Sequence, residues 1–170
     1  MALRNILTVG DPTLTKRCRP YTDFGPRLHE LLDDMRETLI EADGVGLAAP
    51  QVGILRRAVV VMETNHAEDE EDFFLELINP EIIATEGEQT GTEGCLSLPD
   101  QCGIVTRPMV VTVRAQDRNG ETFEYTGEGL TARCFCHELD HLDGILYPER
   151  ASKMLTDEEL AEMAGDEEEE

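Results

Sequence analysis

The stretch Cys136-His137-Glu138-Leu139-Asp140-His141-Leu142-Asp143-Gly144 constrains this chain more than any other. It contains the pattern H-E-x-x-H. On an α-helix each residue turns by about 100° and rises by about 1.5 Å. His137 and His141 then project from one face, one turn apart, and can hold a single metal ion. Glu138 is too close in sequence to be a third ligand on that face. It stands beside the pair, where a carboxylate can handle the protons of a water. The helix is expected from Leu130 to about Leu142, with Asp143-Gly144 as its stop. A polar helix face that spells the motif by chance is the competing reading, and a third ligand must come from elsewhere in the chain.

With 170 residues, 40% of them hydrophobic, the chain has the material for one globular domain with a proper core. Trp is absent and aromatics are 5%, so that core is mainly aliphatic. Lys and Arg number 14 against 37 Asp and Glu, a formal net charge of -23. Phosphate backbones need a basic surface, so direct nucleic-acid binding is not expected, and anionic membranes are repelled. Residues Met1 to Pro12 lack the apolar core of a signal peptide, and no apolar run approaches the length of a membrane span. The five cysteines are scattered, without C-x-x-C spacing. They fit a reduced, cytoplasmic protein with free thiols or a metal-ligand thiolate better than a disulfide framework.

Along the chain, residues 1 to 22 carry turn formers and read as an irregular arm. Leu28, Leu31, Leu32, Met35 and Leu39 recur at helical spacing after Pro26, which places a core-packing helix over Pro26 to about Ala42. Asp43 to Gly53 is rich in small residues. It resembles a phosphate loop only superficially, lacking the Lys-Ser/Thr pair, and reads as a tight loop leading into a strand. Ala58 to Met62 is a β-branched run, expected as a buried strand. His66 to Asp72 is an acidic patch of loop character. Phe73 to Ile83 reads as a strand and a turn at Asn79-Pro80. Glu86 to Thr92 is polar, an exposed strand or a loop. Val110 to Ala115 and Thr122 to Tyr125 are joined by the hairpin signal Asp117-Arg118-Asn119-Gly120. Thr156-Asp157-Glu158-Glu159 is a capping box that opens a short acidic helix. The tail from Asp166 is expected to be disordered. Strands fill the middle, and repeated βαβ crossovers are missing. The fold class expected is α+β, with mostly antiparallel strands around a central metal-binding helix and one catalytic domain over 1–155, followed by the acidic segment 156–170.

Glu93-Gly94-Cys95-Leu96-Ser97-Leu98-Pro99 offers a thiol for the third ligand. It reads as a short strand that starts at Cys95 and is stopped by Pro99; a small buried core residue is the alternative for Cys95. Cys18, Cys102, Cys134 and Cys136 read as core thiols. Taken together, Gly44-Val45-Gly46-Leu47-Ala48-Ala49-Pro50-Gln51, Glu93-Gly94-Cys95-Leu96-Ser97 and His137-Glu138-Leu139-Asp140-His141 occur in that order. They resemble the three signature motifs of the peptide deformylases. Gly10-Asp11-Pro12, the Asp117–Gly120 turn and His141-Leu142-Asp143-Gly144 extend the likeness to roughly residues 4 to 155.

The resemblance implies an enzyme that removes the formyl group from the N-terminal formyl-methionine of new polypeptides. It makes Cys95, His137 and His141 the ligands of one divalent ion, with a water in the fourth position. That ion is Fe²⁺ in most of the family, with Zn²⁺, Ni²⁺ or Co²⁺ able to replace it; the Cys-His-His set by itself suits zinc. Glu138 becomes the general base, and Gln51 and the Leu96 backbone N–H become donors to the developing oxyanion. Substrate would lie extended against Val45, Gly46 and Gly94. The methionine pocket maps near Val45, Leu130, Arg133 and Cys134. Arg133 is the odd member, either aiming only its aliphatic stem inward or forming a salt bridge at the surface. Glu93 is a candidate to pair with Arg107 and brace the Cys95 loop; Asp140 is a candidate to orient a ligand histidine or a neighbouring backbone group, with a solvated helix face as the competing reading.

Two departures from the family pattern stand out. Cys136 occupies a position that is often Gln. The C-terminal segment is acidic, whereas some relatives carry a basic helix that docks on the ribosome. Transient ribosome association stays among the partners the resemblance allows, through protein rather than RNA. Two rivals remain: a zinc peptidase of the H-E-x-x-H class, whose usual third ligand lies downstream, and a non-catalytic metal module with Cys134 or Cys136 as a fourth ligand.

Overall fold

The structure, a computed structural model, describes residues 2–64 and 71–169, with only the backbone over 164–169. The acidic patch of His66 to Asp72 falls mostly outside the described residues. Two sheets and a helix between them form the framework. The larger sheet has the order β1-β2-β3-β6-β7, from β1 (Gly46–Ala48), β2 (Ala58–Glu63), β3 (Phe73–Glu86), β6 (Val110–Gln116) and β7 (Thr122–Glu128). The smaller sheet has the order β4-β5-β8, from β4 (Gln89–Cys95), β5 (Leu98–Arg107) and β8 (Ala151–Met154). Every strand pair is antiparallel. The helices are α1 (Pro26–Glu41), α2 (Leu130–Leu142) and α3 (Asp157–Glu169). The chain is thus α+β and mostly antiparallel, as expected.

β2 explains why its sequence is an unbroken apolar run. Val59 and Val61 face α2, where they pack with Leu77, Val111, Val113, Ala132, Phe135 and Leu139. Ala58 and Val60 face the other way and pack with Leu28, Leu31, Leu32, Met35 and Leu39 of α1. A strand covered on both faces has no polar side to alternate with. The smaller sheet closes over Leu98, Val105 and Tyr147. Caught between the sheets, α2 is buried almost all round, including Arg133, His137, Glu138 and His141. Its C-terminal end is tied down by the N-terminal arm and by β2's approach: Cys18 N–H and Arg57 Nη1 both donate to the carbonyl of Leu142, at 2.8 and 3.1 Å. A guanidinium there also opposes the negative end of the helix dipole.

Three expectations change. The Asn79-Pro80 turn does not form; β3 runs through it as one strand with register shifts at Ile78/Glu81. Asn79 takes a left-handed φ of 51°, and its side chain bonds the backbone N–H and carbonyl of Tyr21 and the side chain of Gln116. The result is a bulge, which asparagine tolerates better than most residues. Cys95 ends a strand instead of starting one: β4 stops there, Leu96-Ser97 makes the turn, and β5 begins at Leu98 and continues through Pro99. The capping box forms as expected, with Thr156 Oγ1 accepting from Glu159 N–H and Glu159 Oε1 accepting from Thr156 N–H. The helix it opens keeps a helical backbone to Glu169, across most of the segment expected to be disordered.

Candidate metal centre and substrate cavity

Helical spacing puts His137 and His141 on one face of α2, with ring centroids 5.1 Å apart. The tight turn after β4 brings Cys95 to them. Its Sγ lies 3.3 Å from His141 Nε2, and one ligand atom from each of Cys95, His137 and His141 falls within 4.8 Å of the others. Among the described residues this is the only such group of three. Neither Cys134 nor Cys136 joins it, so a closed four-ligand centre does not form among those residues.

The donor set fits a divalent ion on its own chemistry. Thiolate plus two imidazoles is a soft to borderline set suited to Zn²⁺ and its first-row neighbours. Burial alone pushes the protonation of His137 down, but the charge of Glu138 and hydrogen bonds with Cys95 and Glu93 reverse this and hold it up at about 10. Burial and the neighbouring His137 push His141 down to about 3.

His137 is oriented from behind. Its Nδ1 is 2.6 Å from Glu93 Oε1, which leaves Nε2 for the cluster. Glu93 is 6% exposed and also takes Arg107 Nη2 at 2.8 Å, Arg107 Nε at 3.2 Å and Arg133 Nη1 at 2.7 Å. Burial pushes its carboxyl up, yet the bonds to His137 and Arg107 win and hold it down at about 2. The expected Glu93–Arg107 pair is therefore present, within a larger network. Asp140, for which a ligand histidine, a backbone group and solvent were the candidate partners, binds Arg107 Nη1 at 2.9 Å and Arg150 Nε at 3.2 Å. Arg133 is neither a surface salt bridge nor an inward stem alone: it is buried, with its guanidinium head inside the network.

Glu138 has the opposite environment. It is 3% exposed and its Oε1 has no hydrogen-bond partner among the described residues. Burial pushes its carboxyl up to about 7, against the pull of His137. Gly46 makes this possible. A Cβ at that position would meet Cys134 Sγ at 2.5 Å and Glu138 Oε2 at 2.6 Å. Only a residue without a side chain lets β1 lie this close to α2.

A cavity of about 330 Å³ opens in front of these groups. Val45, Gly46, Gln51, Gly94, Cys95, Leu96, Leu130, Cys134, His137 and Glu138 all line it, so ten of the sequence-predicted site residues meet there. Arg133 lines it too, and His141 sits behind Cys95, 1% exposed. Gln51 is locked in place. Its Oε1 accepts from Ala48 N–H, and its Nε2 donates to Ser97 Oγ at 3.0 Å and to Cys95 Sγ at 3.6 Å. Sequence reasoning missed Ser97 as the anchor of Gln51 and Glu93 as the partner of His137. The E-G-C-L-S run contains both, but only the turn at Leu96-Ser97 shows which way they face.

The fold and the cluster together define a class: an α+β protein built around a helix-borne histidine pair and a strand-end thiol, whose donor atoms lie close enough together that they could hold one metal ion, beside a cavity. The comparisons with known proteins name the family. The sequence profile of polypeptide deformylases matches residues 3–157. Peptide deformylase of Lachnoclostridium phytofermentans is 54% identical over 155 residues, covering 89% of this chain and 91% of the relative. Peptide deformylase 1 of Bacillus subtilis is 46% identical, covering 97% of this chain and 100% of the relative. Among solved structures, the peptide deformylase of Thermotoga maritima superposes with a TM-score of 0.81 at 40% identity, covering 88% of this chain and 98% of that one. The chain belongs to the polypeptide deformylase family.

Proposed function

We propose that Cys95, His137 and His141 hold one divalent metal ion and that Glu138 moves the protons in the reaction of this family, the hydrolytic removal of the formyl group from the N-terminal formyl-methionine of new polypeptides. One observation carries the site assignment: donor atoms from two distant segments converge within 4.8 Å beside a cavity. Fe²⁺ is the proposed native ion, and the same donors accommodate Zn²⁺, Ni²⁺ or Co²⁺. When bound, such an ion supplies Lewis acidity, lowering the pKa of water and polarising a carbonyl.

The chain's own groups do the rest. Glu138 takes the proton of the attacking water and passes it to the departing amine nitrogen. Its Oε1, without a hydrogen-bond partner among the described residues, supports this, since no other bond must break first. Negative charge on the formyl oxygen is met by Leu96 N–H and by Gln51 Nε2, which gives up its long contact to Cys95 Sγ for the stronger bond. Formate leaves, and the peptide keeps a free amine. β1 and β4 are each an edge of their sheet, and residues of both line the cavity. An extended peptide would lie against Val45, Gly46 and Gly94 in the manner of an added strand. Leu130 and Cys134 take the methionine side chain.

Residues 1–155 form the catalytic unit in this reading, with 156–170 as an acidic appendage; the family match over 3–157 supports it. The free cysteines support a reducing, cytoplasmic setting, and no helix among the described residues is long and apolar enough to cross a membrane. Transient ribosome association belongs to the same proposal, with the acidic segment meeting protein rather than RNA.

Anaerobic purification, metal analysis and a formate-release assay on one sample test the reading. Formyl-Met-Ala is cleaved and an unblocked peptide is not. Internal cleavage of the unblocked peptide would favour the peptidase rival instead.

A further inference from the structure

The substrate cavity is not apolar throughout. Val45, Leu130 and Cys134 line it, and so does Arg133. An arginine that is 7% exposed ordinarily has its donors engaged, because an unpaired polar group removed from water costs free energy. Among the described residues Arg133 engages partners through one nitrogen only. Nη1 donates to Glu93 Oε2 at 2.7 Å and to the carbonyl of Val105 at 3.1 Å. Nη2 and Nε have no hydrogen-bond partner among the described residues. What stands next to Nη2 is Gly91. A Cβ there would lie 3.5 Å from Nη2 and 4.0 Å from Cζ, so glycine leaves the guanidinium edge uncovered. The two-residue period of a strand puts Gly91 on the same face of β4 as Glu93 and Cys95, the face that carries the site.

We infer that Arg133 is a specificity-determining residue, whose free guanidinium edge donates to an acceptor oxygen at the end of the substrate's first side chain. The chain then deformylates peptides that begin with formyl-methionine sulfoxide as well as formyl-methionine. This rests on the deformylase reading above. A thioether is a weak acceptor and loses little in an apolar pocket. A sulfoxide is polar, and in a wholly apolar pocket its oxygen would be stripped of water without compensation. A charged donor at the wall supplies that compensation. The chemistry of the step is unchanged: water adds to the formyl carbon, the C–N bond breaks, the amine takes the proton, and the sulfoxide passes through without redox change.

The test compares formyl-Met-Ala, formyl-methionine sulfoxide-Ala and formyl-norleucyl-Ala on the metal-loaded full chain, for the wild type, Arg133→Met and Gly91→Ala. The wild type is expected to turn over the sulfoxide within about tenfold of methionine, the scale of one charge-assisted hydrogen bond. The sulfoxide-to-norleucine ratio of kcat/KM should fall by about tenfold or more in Arg133→Met, and in the same direction in Gly91→Ala, whose added methyl makes only ordinary contact with the guanidinium. Calorimetric binding of the products, methionine sulfoxide-Ala and norleucyl-Ala, should show the same ordering. If Arg133→Met does not fold, Gly91→Ala and the product binding decide. A ratio unchanged in both variants, with formyl-Met-Ala still cleaved, overturns the inference. Failure of the loaded wild type to cleave formyl-Met-Ala would instead sink the deformylase reading beneath it.

Discussion

Glu93 and Glu138 are neighbours of the same imidazole, and both are nearly sealed from water, yet they are held in opposite states. Glu93 is saturated: His137, Arg107 and Arg133 all donate to it, and its carboxyl stays ionised down to about 2. Glu138 keeps a buried oxygen with no hydrogen-bond partner among the described residues, and its carboxyl rises to about 7. Burial acts on both in the same direction; the difference lies in the donors. A saturated carboxylate is a strut, because moving it strands several buried charges. An unsaturated one is available to exchange a proton near neutral pH. In the proposed reaction the two sides of His137 thus divide rigidity from reactivity.

The sharpest way to break this contrast is Glu138→Ala. Formate release should fall by about two to four orders of magnitude, while metal content and unfolding stay near wild type, because the lost carboxylate had an unmet oxygen. Near-normal turnover would remove Glu138 from its role. Glu93→Ala should behave in the reverse order. It leaves Arg107, Arg133 and His137 without their shared partner, and should cost about 3–5 kcal/mol in denaturant unfolding and about 10–100-fold in metal affinity. A well-folded Glu93→Ala chain of unchanged metal affinity would show that the network is ornamental.

pH adds a second axis. The folded value for Glu93, about 2, lies below its ordinary 4.5. Between these values the unfolded chain binds more protons, so stability rises with pH through the window. The contribution of Glu93 is therefore present above about 4.5 and lost as pH falls toward 2. The stability gap between wild type and Glu93→Gln should be flat above pH 5 and shrink below it; a gap that widened on acidification would contradict the assignment.

Gly46→Ala should have a smaller effect, about 1–3 kcal/mol in unfolding. Its Cβ collides with both Cys134 Sγ and Glu138 Oε2, so turnover should drop with it. The smallest effect is expected far from both glutamates. Thr156→Ala removes the cap of α3, at a cost of about 1 kcal/mol, visible in the helical signal of circular dichroism with formate release unaffected.

How much of this was legible in the sequence depended on range. α1, α2, the Asp117–Gly120 hairpin and the Thr156 cap are written in neighbouring residues, and each formed at the expected place. β5 and β8 carried no such signal. β8 is four residues long and exists because it pairs with β5, nearly fifty positions upstream. The apparent turn at Asn79-Pro80 misled because the same dipeptide serves a bulge when a strand lies on each side. Arg133 was legible in part: the resemblance placed it at the pocket that it does line, but not where its charged head goes. An arginine on a helix reads as a surface residue until a carboxylate from β4 is found facing it, 2.7 Å away.

The sequence by itself determined the chemistry on offer: two histidines one turn apart, a glutamate beside them, and a thiol and an amide in runs of small residues that permit close approach. Helical and turn geometry are short-range, and a few adjacent residues suffice to specify them. Only the tertiary structure decided that the thiol ends a strand and not begins one, that Glu93 braces His137, and that Arg133 lines the cavity with its head bonded to Glu93. Those facts arise where α2 is pressed between two sheets, and burial makes each polar group there depend on partners far away in the chain.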